Sequence, residues 1–142
     1  MLGVGKQIVD TYVAGGQVKV IFWPITDFGQ TSIDAAASAY CVGQQDVNAY
    51  WRFHDRLFEQ YAETYGGDRD YFVNAAGAAG ADQAAFEACY DGGEGHAIVT
   101  NLNQIRLDMG INRRPTFDVN GNLLFGAPPF ETFDQLIQAS LP

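Results

Sequence analysis

The sequence predicts a layered fold of the α/β or α+β kind. Three observations carry this reading. Apolar residues recur at helical spacing in several separate stretches. Two regions, residues 17–23 and residues 115–125, switch to β-branched and aromatic composition. Between the halves of the second lies Asn120-Gly121, the strongest short hairpin signal a sequence offers. The resulting order is helix, strand, a block of about four helices, β-hairpin, helix. At 142 residues, 47% of them hydrophobic, the chain can build one domain around one core.

The elements follow in order. Val4, Ile8, Val9, Tyr12 and Val13 mark one face of a helix over residues 2–13, and Gly15-Gly16 stops it. Residues 17–23 read as a buried strand that Pro24 ends. Thr31 or Ser32 is placed to cap a helix running to Cys41, with Asp34 three residues after Thr31 as in a capping box. Asp46 caps the next helix, which carries Val47, Tyr50, Trp51, Leu57, Phe58 and Tyr61. Residues 70–79 form a weaker helix that Gly77 interrupts. Asp82 caps residues 83–90, closed by Gly92-Gly93, and residues 96–109 form an amphipathic helix ended by Gly110. Residues 115–119 then alternate with period two, residues 122–125 return as the partner strand, and Pro128-Pro129 starts a last helix over 130–139. A single strand plus a hairpin is a thin sheet for so many helices.

Charge and length exclude several classes. Seventeen acidic against eight basic side chains give a net charge of −9, so a phosphate backbone meets repulsion and nucleic acid is not an expected partner. The acids are spread along the chain, as solubility alone requires. No run approaches the roughly 18 apolar residues of a membrane span, and residues 1–6 do not read as a signal peptide. Cys41 and Cys89 lie far apart with no His pair near them, so they give no zinc pattern. They are compatible with two buried thiols or one disulfide.

Several stretches together resemble the DsbA-like family of thioredoxin-fold thiol–disulfide oxidoreductases. Ile8-Val9-Asp10-Thr11-Tyr12-Val13 and Gly16-Gln17-Val18-Lys19-Val20 resemble the end of that family's active-site helix and the strand after it. Tyr40-Cys41, Tyr50 to Phe58, and Phe86 to Gly93 resemble its inserted helices. Gly110 to Gly121 resembles its cis-proline strand and turn, and Gly126 to Phe133 its exit into the final helix. The likeness covers essentially the whole chain. It implies an α/β, thioredoxin-like (DsbA-type) domain over residues 1–142, with a helical insertion at about 31–109. Two departures stand out. Arg113-Arg114 replaces the small residue and Thr usual before the cis-proline. The N-terminal strand and the Cys-x-x-Cys pair are absent, so the chain reads as N-terminally truncated.

The resemblance also assigns roles. Arg114, Pro115 and Thr116 would form the substrate-binding loop, where the backbone pairs with an extended polypeptide. Arg114 equally suits a plain surface ion pair. Cys41 and Cys89 would form a structural disulfide between two insertion helices. They sit late in their helices, where the dipole opposes a thiolate, so they are not expected to be catalytic. No other catalytic residue, no cofactor and no metal is expected. His54 and Asp55 are adjacent on a helix and point apart, so they predict packing rather than a dyad. His96 reads as a capping or solvent-facing residue.

Three functions compete at this level. The first is a DsbA-like oxidoreductase domain, inactive as given because its dithiol is missing. The second is a non-catalytic thioredoxin-like module that binds peptides or proteins at Pro115. The third is a glutathione-binding relative, for which no site is identifiable. Unfolded or extended polypeptides are the expected partners. The gap left by the missing strand is expected to be closed by strand exchange, by dimerisation or by direct re-pairing of the remaining strands. The resemblance implies an extracytoplasmic location, in the periplasm or cell envelope.

Overall fold

The computed structural model describes residues 3–141 and divides into two units, Met1–Phe22 with Leu107–Pro142, and Trp23–Arg106. Among the described residues there are eight α-helices, one π-helical stretch and one two-stranded sheet.

In the first unit, α1 (Val4–Ile8) runs directly into the π-helical stretch Val9–Val13. Ile8 and Tyr12 stand four residues apart and are both buried. Gly16, at φ 72°, turns the chain out of the helix, and its N–H donates to the Val13 carbonyl at 2.9 Å. The start predicted at Leu2 lies outside the described residues. The hairpin forms as its sequence requires: β1 (Thr116–Val119) pairs antiparallel with β2 (Asn122–Phe125), Val119 opposite Asn122. Asn120 and Gly121 take φ of 49° and 90°, the two left-handed positions of a type I′ turn. Alternation sends Phe117 and Val119 to one face. There they join Val18, Val20 and Leu124 against the buried Ile8, Tyr12, Phe133 and Ile137. The last two come from α8 (Phe130–Ser140), again four residues apart. Burying a phenylalanine such as Phe133 is worth on the order of 1.5–3 kcal/mol. The Tyr12 hydroxyl donates to the Asp134 carboxylate and accepts from Gln138 at 3.0 Å, so this buried ring's polar end is satisfied.

Residues 17–23 do not form the predicted strand. Val18 and Val20 do face the apolar cluster, but Ile21, Phe22 and Trp23 are exposed, Ile21 by 70%. A strand needs a neighbour to complete its backbone hydrogen bonds, and among the described residues β1 and β2 pair only with each other.

The second unit is helical: α2 (Gln30–Gly43), α3 (Val47–Glu59), α4 (Tyr61–Tyr65), α5 (Arg69–Ala78), α6 (Gln83–Asp91) and most of α7 (Glu94–Asp108). Asp46 caps α3 through the N–H groups of Asn48 and Ala49, and Asp82 caps α6 through that of Ala85 at 2.8 Å. Three expectations need correction. The cap of α2 is Gly29, not Thr31 or Ser32. Thr31 instead donates to the Tyr65 carbonyl, and Asp34 is engaged elsewhere. The α3 helix stops at Glu59, with Tyr61 in the separate α4. Finally, α5 begins after an Asp68 cap and runs through Gly77 without a break, because a single helical glycine costs only about 1 kcal/mol. Phe53, Phe72, Phe86, Val42, Ala49 and Ala76 are fully buried and form this unit's core.

Candidate functional site

The predicted substrate loop enters β1 from an Arg114–Pro115 peptide bond that is cis. The Pro115 carbonyl accepts from the Gly126 N–H at 2.9 Å, which ties the loop to the end of β2. That bond sets the alternation of the antiparallel ladder. Phe117 and Val119 turn their backbone groups toward β2, while Thr116 and Asp118 turn theirs away. Among the described residues no third strand meets that outer edge. The Thr116 hydroxyl donates to the Arg113 carbonyl at 2.7 Å, so it braces the loop rather than serving as a nucleophile. Arg113, Arg114 and Pro115 are exposed and Thr116 is half-buried. The Arg113 guanidinium lies 5.5 Å from the centroid of the Phe125 ring, a cation–π contact that holds one positive charge over the hairpin.

Next to this loop lies an apolar cleft of about 340 Å³, lined by Gly3, Val4, Gly5, Phe117, Ala127, Pro128 and Phe133. Sequence reading assigned none of these a binding role. Phe117 and Phe133 were legible as core residues, and Pro128 as a helix starter. Only their convergence with the start of α1 reveals a cleft. The site thus combines an open backbone edge, two arginines and an apolar recess. Together the described residues offer main-chain donors and acceptors, positive charge and apolar surface side by side.

Cys41 and Cys89 form a disulfide with Cα atoms 5.7 Å apart, joining α2 to α6. They belong to the helical unit, whereas Arg114, Pro115 and Thr116 belong to the other. Cys41 is 1% exposed. Both are the third residue from the end of their helix, and neither thiol is free.

The histidines depart from expectation. His54 is buried among the rings of Tyr50, Trp51 and Phe58, as predicted. Its Nδ1 nevertheless lies 3.0 Å from the Asp55 carboxylate. Neighbouring side chains diverge by about 100° around a helix. Nδ1 and a short carboxylate both stay close to the helix surface, however, and so they meet. Burial pulls the His54 pKa down, and Asp55 opposes the shift. His96 is neither a cap nor fully solvated. Its Nε2 is 2.9 Å from Asp34, and its ring stands edge-on to Tyr90. Among the described residues no group of three or more His, Cys, Asp or Glu could hold a metal ion. No described helix is long and apolar enough to cross a membrane.

The model of a family described as Thioredoxin matches residues 2–139. The chain belongs to the thioredoxin family. No curated protein and no solved structure matches it. In this member of the thioredoxin family, both cysteines are committed to a disulfide between helices of the second unit. The first unit carries the cis-proline loop and its open strand edge.

Proposed function

We propose that the chain is a DsbA-type thiol–disulfide oxidoreductase domain, with its polypeptide-binding surface at Arg114, Pro115 and Thr116. As these 142 residues it binds extended polypeptide without redox turnover. The observation that carries this reading is the outer edge of β1. The backbone groups of Thr116 and Asp118 point away from β2, and among the described residues no third strand lies beside them; two exposed arginines and an apolar cleft are adjacent. An added strand would satisfy those groups, giving affinity with little demand on sequence. The same edge suits pairing with a second copy, as a homodimer or by strand exchange. Light scattering that returns a monomer removes that variant. On this reading residues 1–142 form one DsbA-like domain with a helical insertion at about 31–109, working outside the cytoplasm.

The test is calorimetric titration with a permanently unfolded, carboxymethylated polypeptide. Saturable binding, weakened several-fold by Arg114→Glu, supports the proposal; no binding ends it. Insulin reduction separates binding from turnover, and a robust rate from these residues contradicts the account. The alternative of a non-catalytic binding module predicts the same titration. It differs in the gene: an in-frame Cys-x-x-Cys upstream of Met1 supports the oxidoreductase, and its absence supports the module.

A further inference from the structure

We propose that Asn120 is a latent deamidation site and that the Asp118 carboxylate keeps it closed in the folded hairpin. An Asn-Gly pair invites succinimide formation because glycine has no Cβ to hinder attack by its nitrogen. In that reaction the Gly121 nitrogen gives up its proton and attacks Cγ of Asn120. A C–N bond forms, the Cγ–NH2 bond breaks, and ammonia leaves with the proton. Water then opens the ring at either carbonyl, leaving aspartate or isoaspartate. The turn is exposed, so water and hydroxide reach it.

Two features oppose the first step. The Gly121 N–H donates to Asp118 Oδ1 at 2.6 Å, a short and charge-assisted bond. Removing that proton would create negative charge on nitrogen against an existing carboxylate, which like-charge repulsion disfavours. A carboxylate is also far too weak a base to take an amide proton itself. Second, Asn120 is held at φ 49° inside the type I′ turn, and Asn122 Nδ2 donates to the Val119 carbonyl at 3.0 Å across it. The backbone therefore cannot rotate freely to bring Gly121 N onto Cγ. Opening the hairpin releases both restraints. The product then resists closing, since isoaspartate lengthens the backbone in a two-residue turn.

Peptide mapping by mass spectrometry at a fixed, mildly alkaline pH tests this. It follows the mass gain of deamidation at Asn120 in the folded parent, in Asp118→Ala, in Asp118→Asn and in a free peptide spanning the turn. The parent should react many-fold more slowly than the free peptide. Asp118→Ala should react several-fold faster than the parent yet slower than the peptide, because the turn still holds Asn120. Asp118→Asn, which keeps an acceptor but not the charge, should fall between the parent and Asp118→Ala. If Asp118→Ala does not fold, the parent and Asp118→Asn still decide. A parent rate equal to that of the free peptide overturns the proposal. So does an Asp118 variant that folds and reacts no faster than the parent.

Discussion

Removing the Cys41–Cys89 disulfide by the double substitution Cys41→Ala, Cys89→Ala is expected to destabilise the helical unit severely. The bridge spans a sequence separation of 48. In the chain-entropy description, releasing a loop of that length returns about 13.6 cal/mol/K to the unfolded chain, or about 4 kcal/mol at 25 °C. The packing change adds to this. Cys41 lies inside the buried cluster that also holds Val42, Phe53 and Phe86, whereas Cys89 is only partly buried at its edge, so most of the packing loss falls at Cys41. A unit of this size loses about 4–8 °C in melting temperature per kcal/mol, so the midpoint should fall by roughly 15–30 °C. Urea unfolding of parent and double variant, followed by far-UV circular dichroism, reads the difference directly. The freed unfolded chain exposes more surface and raises the m-value, so free energies extrapolated to water are compared rather than midpoints. A loss under about 1 kcal/mol would refute the reasoning. So would two titratable thiols in the unreduced parent.

Other expectations follow from local geometry. A Cβ on Gly95 would stand 2.6 Å from the Ala37 carbonyl oxygen and 3.0 Å from Cys41 Sγ. Gly95→Ala should therefore cost about 1–3 kcal/mol in the same assay, as overpacking does. Asp82→Ala removes the cap of the helix that carries Cys89 and should cost about 1 kcal/mol, with Asp82→Asn nearly neutral. Burial lowers the His54 pKa, so the fold favours neutral imidazole. Its contribution is full above the ordinary value of 6.5 and is lost as pH falls through the folded value. An NMR titration of the His54 ring should give a midpoint below 6.5, and a midpoint above 6.5 contradicts this.

Much of the local structure was legible because its causes are local. Asn120-Gly121 can adopt the two left-handed positions of a type I′ turn at little cost, so the hairpin and its register followed from two letters. Asp46 and Asp82 precede their helices with the right side chain at the right place. Pairing of Cys41 with Cys89 was different: the residues alone left two thiols or a bridge open, and only the family resemblance chose. The failures were cases in which a partner decides. Residues 17–23 have strand composition, yet composition cannot supply the neighbouring strand that a ladder needs. Thr31 and Ser32 are good caps, but Gly29 at φ 78° already turns the chain into α2, leaving Thr31 to bond Tyr65. The cleft at Val4, Phe117, Pro128 and Phe133 was illegible because it brings the start of the first helix against a hairpin and last helix more than 100 residues later in the sequence. Arg114 kept two readings, groove and surface, since sequence shows its charge but not what lies beside it.

The most direct test of the account is an NMR titration of the uniformly labelled protein with an unfolded polypeptide, reading each backbone amide. Saturable shifts are expected to centre on Thr116 and Asp118 and extend to Arg114, with slower solvent exchange of the two β1 amides on binding. Shifts confined to the helices between Trp23 and Arg106, or no shifts at all, would contradict it.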